Sequence, residues 1–360
     1  MKMQKIESTK NIWSYGWGLL IIIMLIISCN KEDEPDLPGG EFQHAVFIVN
    51  EGNFTAGNAS LTYYNYQTGE VQPKVFYRVN GAPLGDVANS VTVEGESLYI
   101  VVNNSHVVYK INALTGRFEG KLTGLTSPRQ MLLLDKGEAL ISDLYEKSLV
   151  RVNTETMEIV SRIPVGRTSE NMLLYNDRIF VANWSAFQQE LVNNMIMVID
   201  AETMLLSDSI QVGIEPNSMV LDKQNHLWVL CSGGFMNEEL PVLWKINPDA
   251  GEVLDTFEFP EINSSPNHLC LNKTGDTLYF LNKHVYRMAC TDTHLPENAF
   301  IEADDGTNYY MLAVSPRGDI YVTDANDFTR NGMVYRYSAN GILKQKFEAG
   351  IIPGAIGFVN

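Results

Sequence analysis

Basic residues are scarce in this chain: 26 lysines and arginines stand against 43 aspartates and glutamates, a formal net charge of −17. They form no cluster in the body of the sequence. That argues against nucleic-acid binding by phosphate neutralisation, which needs a concentrated basic surface. Cysteine is scarce as well. Cys29, Cys231, Cys270 and Cys290 are widely spaced and make no CxxC-type metal signature. The last three read as buried small hydrophobes, with a Cys270–Cys290 pair open if their strands lie side by side. No apolar run reaches the roughly 20 residues of a bilayer span. No segment sustains a 3.6-residue apolar period, so no room is left for a helical domain. The chain has no HExxH, GxSxG or P-loop, and no GxGxxG between strand and helix.

The N-terminus is a targeting segment and stands outside the fold. Lys2, Lys5 and Lys10 precede the apolar run Leu19 to Ile27. The run ends Ile26-Ile27-Ser28-Cys29, which resembles a bacterial lipobox. The resemblance implies a signal peptide over residues 1–28 and a lipid on the Cys29 thiol, which anchors the chain to a membrane. Asn30-Lys31-Glu32-Asp33-Glu34 is similar to the surface-export signal of certain Gram-negative lipoproteins. Residues 29–43, with Pro35 and Pro38, then read as an acidic linker. The excess of acid suits a secreted protein that must stay soluble.

What the rest of the chain has in abundance is repetition. Short strand-like runs recur as VFIVN (from Val46), LYIVV (Leu98), LISD (Leu140), IFVAN (Ile179), LWVLC (Leu227), LYFLN (Leu278) and IYVTD (Ile320). In six of the seven the second residue is aromatic, a strand signal. A following run recurs at Tyr64, Tyr109, Val150, Met197, Trp244, Tyr286 and Tyr335. Five of these carry a base in one place: Lys110, Arg151, Lys245, Arg287 and Arg336. That row reads as solvated or blade-to-blade charge rather than as a binding ring. Turns such as ALTG and PDAG follow each time. Seven four-stranded units predict an all-β, seven-bladed β-propeller over residues 44–360 with four antiparallel strands per blade. One small sheet cannot bury both its faces, whereas seven around an axis bury each face against a neighbour. The C-terminal strand, Ala355 to Val359, is expected innermost in the first blade beside Val46, closing the ring.

In such a meander, the loops after each second strand and before each first strand share one face. Glu51–Ala59, Trp184–Asn194, Ser232–Leu240 and Ala325–Gly332 are long loops on that face, and insertions on one face of a repeat array usually mark the binding face. Each carries a phenylalanine four residues past its strand: Phe54, Phe187, Phe235 and Phe328. Tyr145 and Trp184 join them, and the short loop of the second repeat adds Asn104 and His106. Nearer the axis fall Asn89, Arg129, Asn171, Asn217, Asn267, His268, Tyr309 and Tyr310. Amides inside an outer ring of aromatics suit a broad, flat, amide-bearing ligand. A metal held by His106, His268 and His284 has no spacing to support it, and Asp304-Asp305 before Gly306 reads as a solvated turn.

VFIVNEGNF at Val46, LGD at Leu84, SLYIVVNNS at Ser97 and LWVLCSGG at Leu227 resemble the DUF5074 group of YncE-like propellers over about residues 44–360. The resemblance implies a surface lipoprotein of the BtuG type on the outer membrane. Such a protein binds a corrinoid, cobalamin (vitamin B12), as ligand rather than cofactor, and passes it to a TonB-dependent transporter without catalysis. Two other readings stand beside it. One is a propeller lyase or lactonase using a loop-face histidine. The other is an interaction scaffold, or a lid for another outer-membrane transporter.

Overall fold

The computed structural model describes residues 42–187 and 189–359. The signal segment, Cys29 and nearly all of the linker lie outside the described residues. Seven antiparallel sheets follow one another along the chain. The second blade is typical: Ala88–Glu94 is innermost, followed outward by Ser97–Val102, Val107–Asn112 and Phe118–Leu122. In the first blade the innermost place is taken by Pro353–Phe358, paired antiparallel with Ala45–Asn50. The two ends of the propeller are thus zipped together as the repeats require, with the C-terminal strand starting two residues earlier than expected.

The apolar interior divides into seven clusters, one in each gap between neighbouring blades. Alternation along the second strand builds them. Leu98, Ile100 and Val102 face the first blade, while Tyr99 and Val101 face the third. The recurring aromatic always points to the next blade: Phe47, Tyr99, Phe180, Trp228, Tyr279 and Tyr321 each lie in the gap ahead. Blades splay with distance from the axis, and a large ring fills that wedge.

The row of bases has the same origin. Tyr99 lies opposite Lys110, Trp228 opposite Lys245, Tyr279 opposite Arg287 and Tyr321 opposite Arg336. The Lys110, Lys245 and Arg336 charges lie over their partner rings at 5.7, 5.0 and 6.0 Å. The same side chains reach the next blade's backbone: Lys110 to the Thr154 carbonyl at 3.1 Å, Lys245 to Cys290 at 3.1 Å, Arg336 to Tyr66 at 2.7 Å. In the third blade the residue opposite Arg151 is Leu140. That strand therefore starts one residue earlier than the LISD reading, which put Ile141 at the aromatic position. A slip of one flips every side chain to the other face. Ile141 faces backwards, and Arg151, lacking a ring, pairs with Glu138 at 2.6 Å.

Two further features depart from the repeats. A six-residue helix, Val75–Asn80, buries Val75 and Phe76 beside the first blade. The sixth blade has three strands, Asn267–Leu271, Thr277–Asn282 and His284–Ala289, and its fourth is reduced to a bridge between Val285 and Ile301. Cys270 packs toward the seventh blade and Cys290 toward the fifth, on opposite faces of one sheet, and both are free thiols.

Candidate functional site

On the loop face, a polar residue at the end of the second strand latches the loops in the first, second and seventh blades. Asn50 donates to the Ser60 carbonyl and Thr62 Oγ1, both at 3.1 Å, and accepts from the Gly350 amide at 2.8 Å. Asn103 donates to Ser127 Oγ and the Pro128 carbonyl, both at 2.9 Å. Asp324 accepts from the Asn308 and Asn326 amides at 3.0 and 2.8 Å. These buried groups are satisfied by loop backbone, so they fix the loops and leave nothing for a ligand.

Closer to the axis the inner strands share a second device. In six of seven blades the pairing slips at the start of the inner strand, at Asn89, Arg129–Gln130, Asn217, His268–Leu269, Tyr310–Met311 and Gly354. Such bulges re-aim a side chain and gather at barrel rims and active sites. Strained backbone accompanies them. Val87 and Ile352, both β-branched, have φ of 56° and 52° just before two of these strands. Of the inner ring read from the sequence, Asn89, Arg129, Asn217, His268 and Tyr310 fall at these bulges, whereas Asn171, Asn267 and Tyr309 do not.

Part of that ring is occupied with holding blades together. Asn89 donates to the Arg129 carbonyl at 2.8 Å and Asn217 to the Pro266 carbonyl at 2.8 Å, while Asn171 accepts from the Met219 amide at 3.1 Å. Asn267 and His268 bond to each other at 2.7 Å. Burial pushes the His268 imidazole down to about 4, so it is neutral at physiological pH. Tyr309 turns away from the axis, its hydroxyl 2.9 Å from that of Tyr337 in the gap between the sixth and seventh blades.

The charged groups at the axis form one constellation. Arg129 Nε donates to Glu170 at 2.7 Å, the two side chains only 17% and 10% exposed. Tyr310 donates its hydroxyl to Glu51 at 3.0 Å. Burial pushes the Glu51 carboxyl up to about 7, with the Tyr310 bond and the Arg129 charge opposing and the Glu170 charge adding. Burial also works against the Arg129 charge, but Glu170, with Glu51 and Tyr310, outweighs it and raises the guanidinium further. Tyr310 is raised by burial and by Glu51. These residues come from the first, third, fourth and seventh blades, and groups so far apart around the ring meet only over its centre.

Glu51 and Glu170 were not among the sequence candidates. A signal for Glu51 exists: where other inner strands carry Asn, Arg, His or Tyr at the bulge, the first blade carries Gly354. A Cβ built there would lie 2.3 Å from Glu51 Oε1. The missing side chain makes the space the carboxyl enters.

Around this centre stand the aromatics. Phe235 is 88% exposed and Phe54 72%. Phe187 is half-exposed and packs on Tyr145 with centroids 4.8 Å apart. Phe328 lies edge-on to Tyr310 at 5.8 Å, and Trp184 lies beneath the Arg129 guanidinium at 5.4 Å. Leu191, Val192 and Met236 add exposed apolar surface on the same loops. Asn104 and His106 are set apart, tied to Asp86 and to the Thr126 carbonyl. His106, His268 and His284 are not brought together, and among the described residues no three His, Cys, Asp or Glu side chains could hold a metal ion. The Glu51–Ala59 loop is pinned on both sides, by Asp86 accepting the Thr55 amide at 2.9 Å and by Asn53 donating to the Phe328 carbonyl at 2.5 Å.

Solved structures similar in fold include the following three. A quinonprotein alcohol dehydrogenase-like protein from Bacteroides thetaiotaomicron aligns with a TM-score of 0.70 at 16% identity, over 89% of this chain and 79% of its own. AztD from Citrobacter koseri, in its apo form, aligns at 0.58 and 11% identity, over 87% and 96%. Virginiamycin B lyase from Staphylococcus aureus aligns at 0.57 and 13%, over 72% and 83%. At these identities the likeness shows the propeller alone. No curated protein matches the chain in sequence. Residues 44–349 match a family described as a domain of unknown function, and the chain belongs to that family, DUF5074.

Proposed function

We propose that this protein is a surface lipoprotein that binds a corrinoid on the loop face and delivers it to a TonB-dependent outer-membrane transporter. The observation that carries the reading is the concentric arrangement of that face. An inner set of amides and hydrogen-bonding acids lies inside a ring of exposed aromatics from four long loops. Cobalamin is flat, broad, neutral overall and fringed with amides. Its rings and edges would meet Phe54, Phe187, Phe235 and Phe328, and its amides would meet Glu51, Tyr310 and the unshared sides of Asn89 and Asn171. The loops are latched before any ligand arrives, so little ordering entropy is lost on binding. Exposed Leu191, Val192 and Met236 form apolar surface beyond what one ligand covers, which suits a protein partner seated over it. Lipid on Cys29 would tether the propeller to the outer membrane.

Titration of the propeller with cyanocobalamin, followed calorimetrically, tests the reading. Saturable one-to-one binding at or below micromolar concentration is expected, and heats indistinguishable from dilution would sink it.

A second reading is favoured by one observation, the Glu51 carboxyl near 7 beside Arg129 and Tyr310. A carboxyl so placed is poised as a general base in a propeller lyase or lactonase. It stands beside the loop-face histidine expected from the sequence, of which His268 is bonded to Asn267.

A further inference from the structure

The sixth blade is where the repeat fails, and the failure leaves a cavity. Every other outer strand from the second to the seventh blade sends one hydrophobe into the gap ahead: Leu122, Ile163, Ile210, Phe257 and Phe347. In the sixth blade Ile301, bridged to Val285, takes that place and keeps the gap to the seventh blade sealed. The rest of the outer strand is replaced by an irregular passage through Leu295 and Pro296. On the side facing the fifth blade a cleft of about 410 Å³ remains, distinct from the axial constellation.

Its chemistry is mixed in a defined way. The floor is aromatic: the half-buried Tyr286 stacks on the buried Phe280 with centroids 5.5 Å apart and 9° between planes, and buried Phe259 backs Phe280 edge-on at 5.6 Å. Leu295 and Pro296 form one wall and Pro260 stands opposite. The rim is polar. Glu261, Asn263, Lys283 and Glu297 line it, and none of their side chains has a protein partner among the described residues. His284 Nδ1 accepts the Ala303 amide at 2.9 Å, which places the proton of the neutral ring on Nε2 as a donor. Asn282 reaches Ser264 Oγ only at 3.5 Å, a weak bond that leaves its amide available.

This set selects among ligands. An anion would face two carboxylates against one lysine. A cation would meet Lys283 among those carboxylates. A wholly apolar ligand would strip water from half a dozen polar groups without replacing it. A neutral ring with one C–H face and a circumference of hydroxyls satisfies both parts: its C–H bonds lie on the electron-rich aromatic floor, and its hydroxyls both donate to the carboxylates and accept from Asn282, Lys283 and His284. The volume falls in the range of small-molecule sites, roughly 300–1,000 Å³. We propose that this cleft is a carbohydrate-binding site, taking one or two sugar units at the end of a glycan. The proposal does not depend on the corrinoid reading.

The test is saturation-transfer difference NMR on the intact propeller with the methyl glycosides of glucose, galactose, mannose and N-acetylglucosamine at millimolar concentration. At least one glycoside is expected to show transfer to its ring protons. The signal is expected to weaken at least tenfold in Glu261→Gln/Glu297→Gln, whose exposed, unpartnered side chains carry no folding role, and in Asn282→Ala. Cyanocobalamin titrations of these variants should match the unmodified protein. Absence of transfer from all four glycosides overturns the proposal. Transfer that persists unchanged in both variants overturns it equally, because the sugar then sits elsewhere.

Discussion

The two ends of the strands answer the same problem in different ways. At the tight-turn end, the residue closing the third strand folds back on its own turn in the first five blades. The side-chain oxygens of Asn65, Asn112, Asn153, Asp200 and Asn247 each accept the backbone amides two and three residues on, at 2.7–3.4 Å. These are Asx turns, and they leave little outward capacity. At the loop end latches recur too, but beyond them stand exposed rings, a carboxyl lifted toward neutrality and bulged backbone. Repetition that satisfies itself builds the scaffold. Departures from repetition mark where outward chemistry is left over.

The sharpest way to break that contrast is at Arg129, which belongs to both sides of it. Arg129→Ala leaves Glu170, with its side chain 10% exposed, as a buried charge with no partner. The expected cost is about 3 kcal/mol in chemical denaturation. Arg129→Ala/Glu170→Ala should recover most of it, since removing both charges is far cheaper than stranding one. If the single variant loses less than the double, the pair is no more than a surface contact.

Much of this architecture could be read from the sequence, and the misses have definite causes. The seven repeats and the ring closure follow from period and turn chemistry. The LISD reading falls one place off because the third blade has no aromatic to mark the wedge, and an all-apolar stretch does not announce its register. The missing fourth strand of the sixth blade was not legible, since the segment replacing it has the length of a strand and its turns. Tyr309 and Tyr310 are adjacent, and alternation sends only one of them to the axis; which one depends on the bulge, which no local pattern encodes. Glu51 is, in the sequence, only the first residue of a long loop. Its meaning comes from Gly354, some three hundred residues away.

Glu51 offers the next largest effect, and it is one of pH. In the folded chain its carboxyl sits near 7, against 4.5 for the free side chain. Between those values the native state holds a proton that the unfolded state has released. Stability contributed by the protonated form is therefore full below about 4.5, falls as pH rises toward 7, and is flat above. The fall amounts to at most about 3 kcal/mol for a shift of this size. Glu51→Gln keeps the neutral shape, so the variant should match the parent at the acidic end and exceed it at pH 8. Denaturation midpoints across that interval check this, and parallel profiles for the two proteins would show that the carboxyl is solvated. In the enzyme reading, the same variant abolishes turnover. In the binding reading, it should hold cyanocobalamin as tightly at pH 8 as at pH 6.

The smallest expected effects divide the two ends most cleanly. Phe235 is 88% exposed at the tip of its loop, so Phe235→Ala should leave stability within about 0.5 kcal/mol of the parent. Exposed aromatics of this kind act as anchors once a ligand covers them, and cyanocobalamin affinity should fall about tenfold, roughly 1.4 kcal/mol. Asn112→Ala at the tight-turn end should do the reverse. Its side chain holds the amides of Leu114 and Thr115, both at 3.0 Å, and its loss should cost about 1 kcal/mol of stability with affinity unchanged. The two substitutions touch opposite ends of the strands, so measuring both quantities on both variants gives a crossed pattern if the loop face binds. If Phe235→Ala and Asn112→Ala both leave affinity at the parental value, the exposed ring is not where the corrinoid sits.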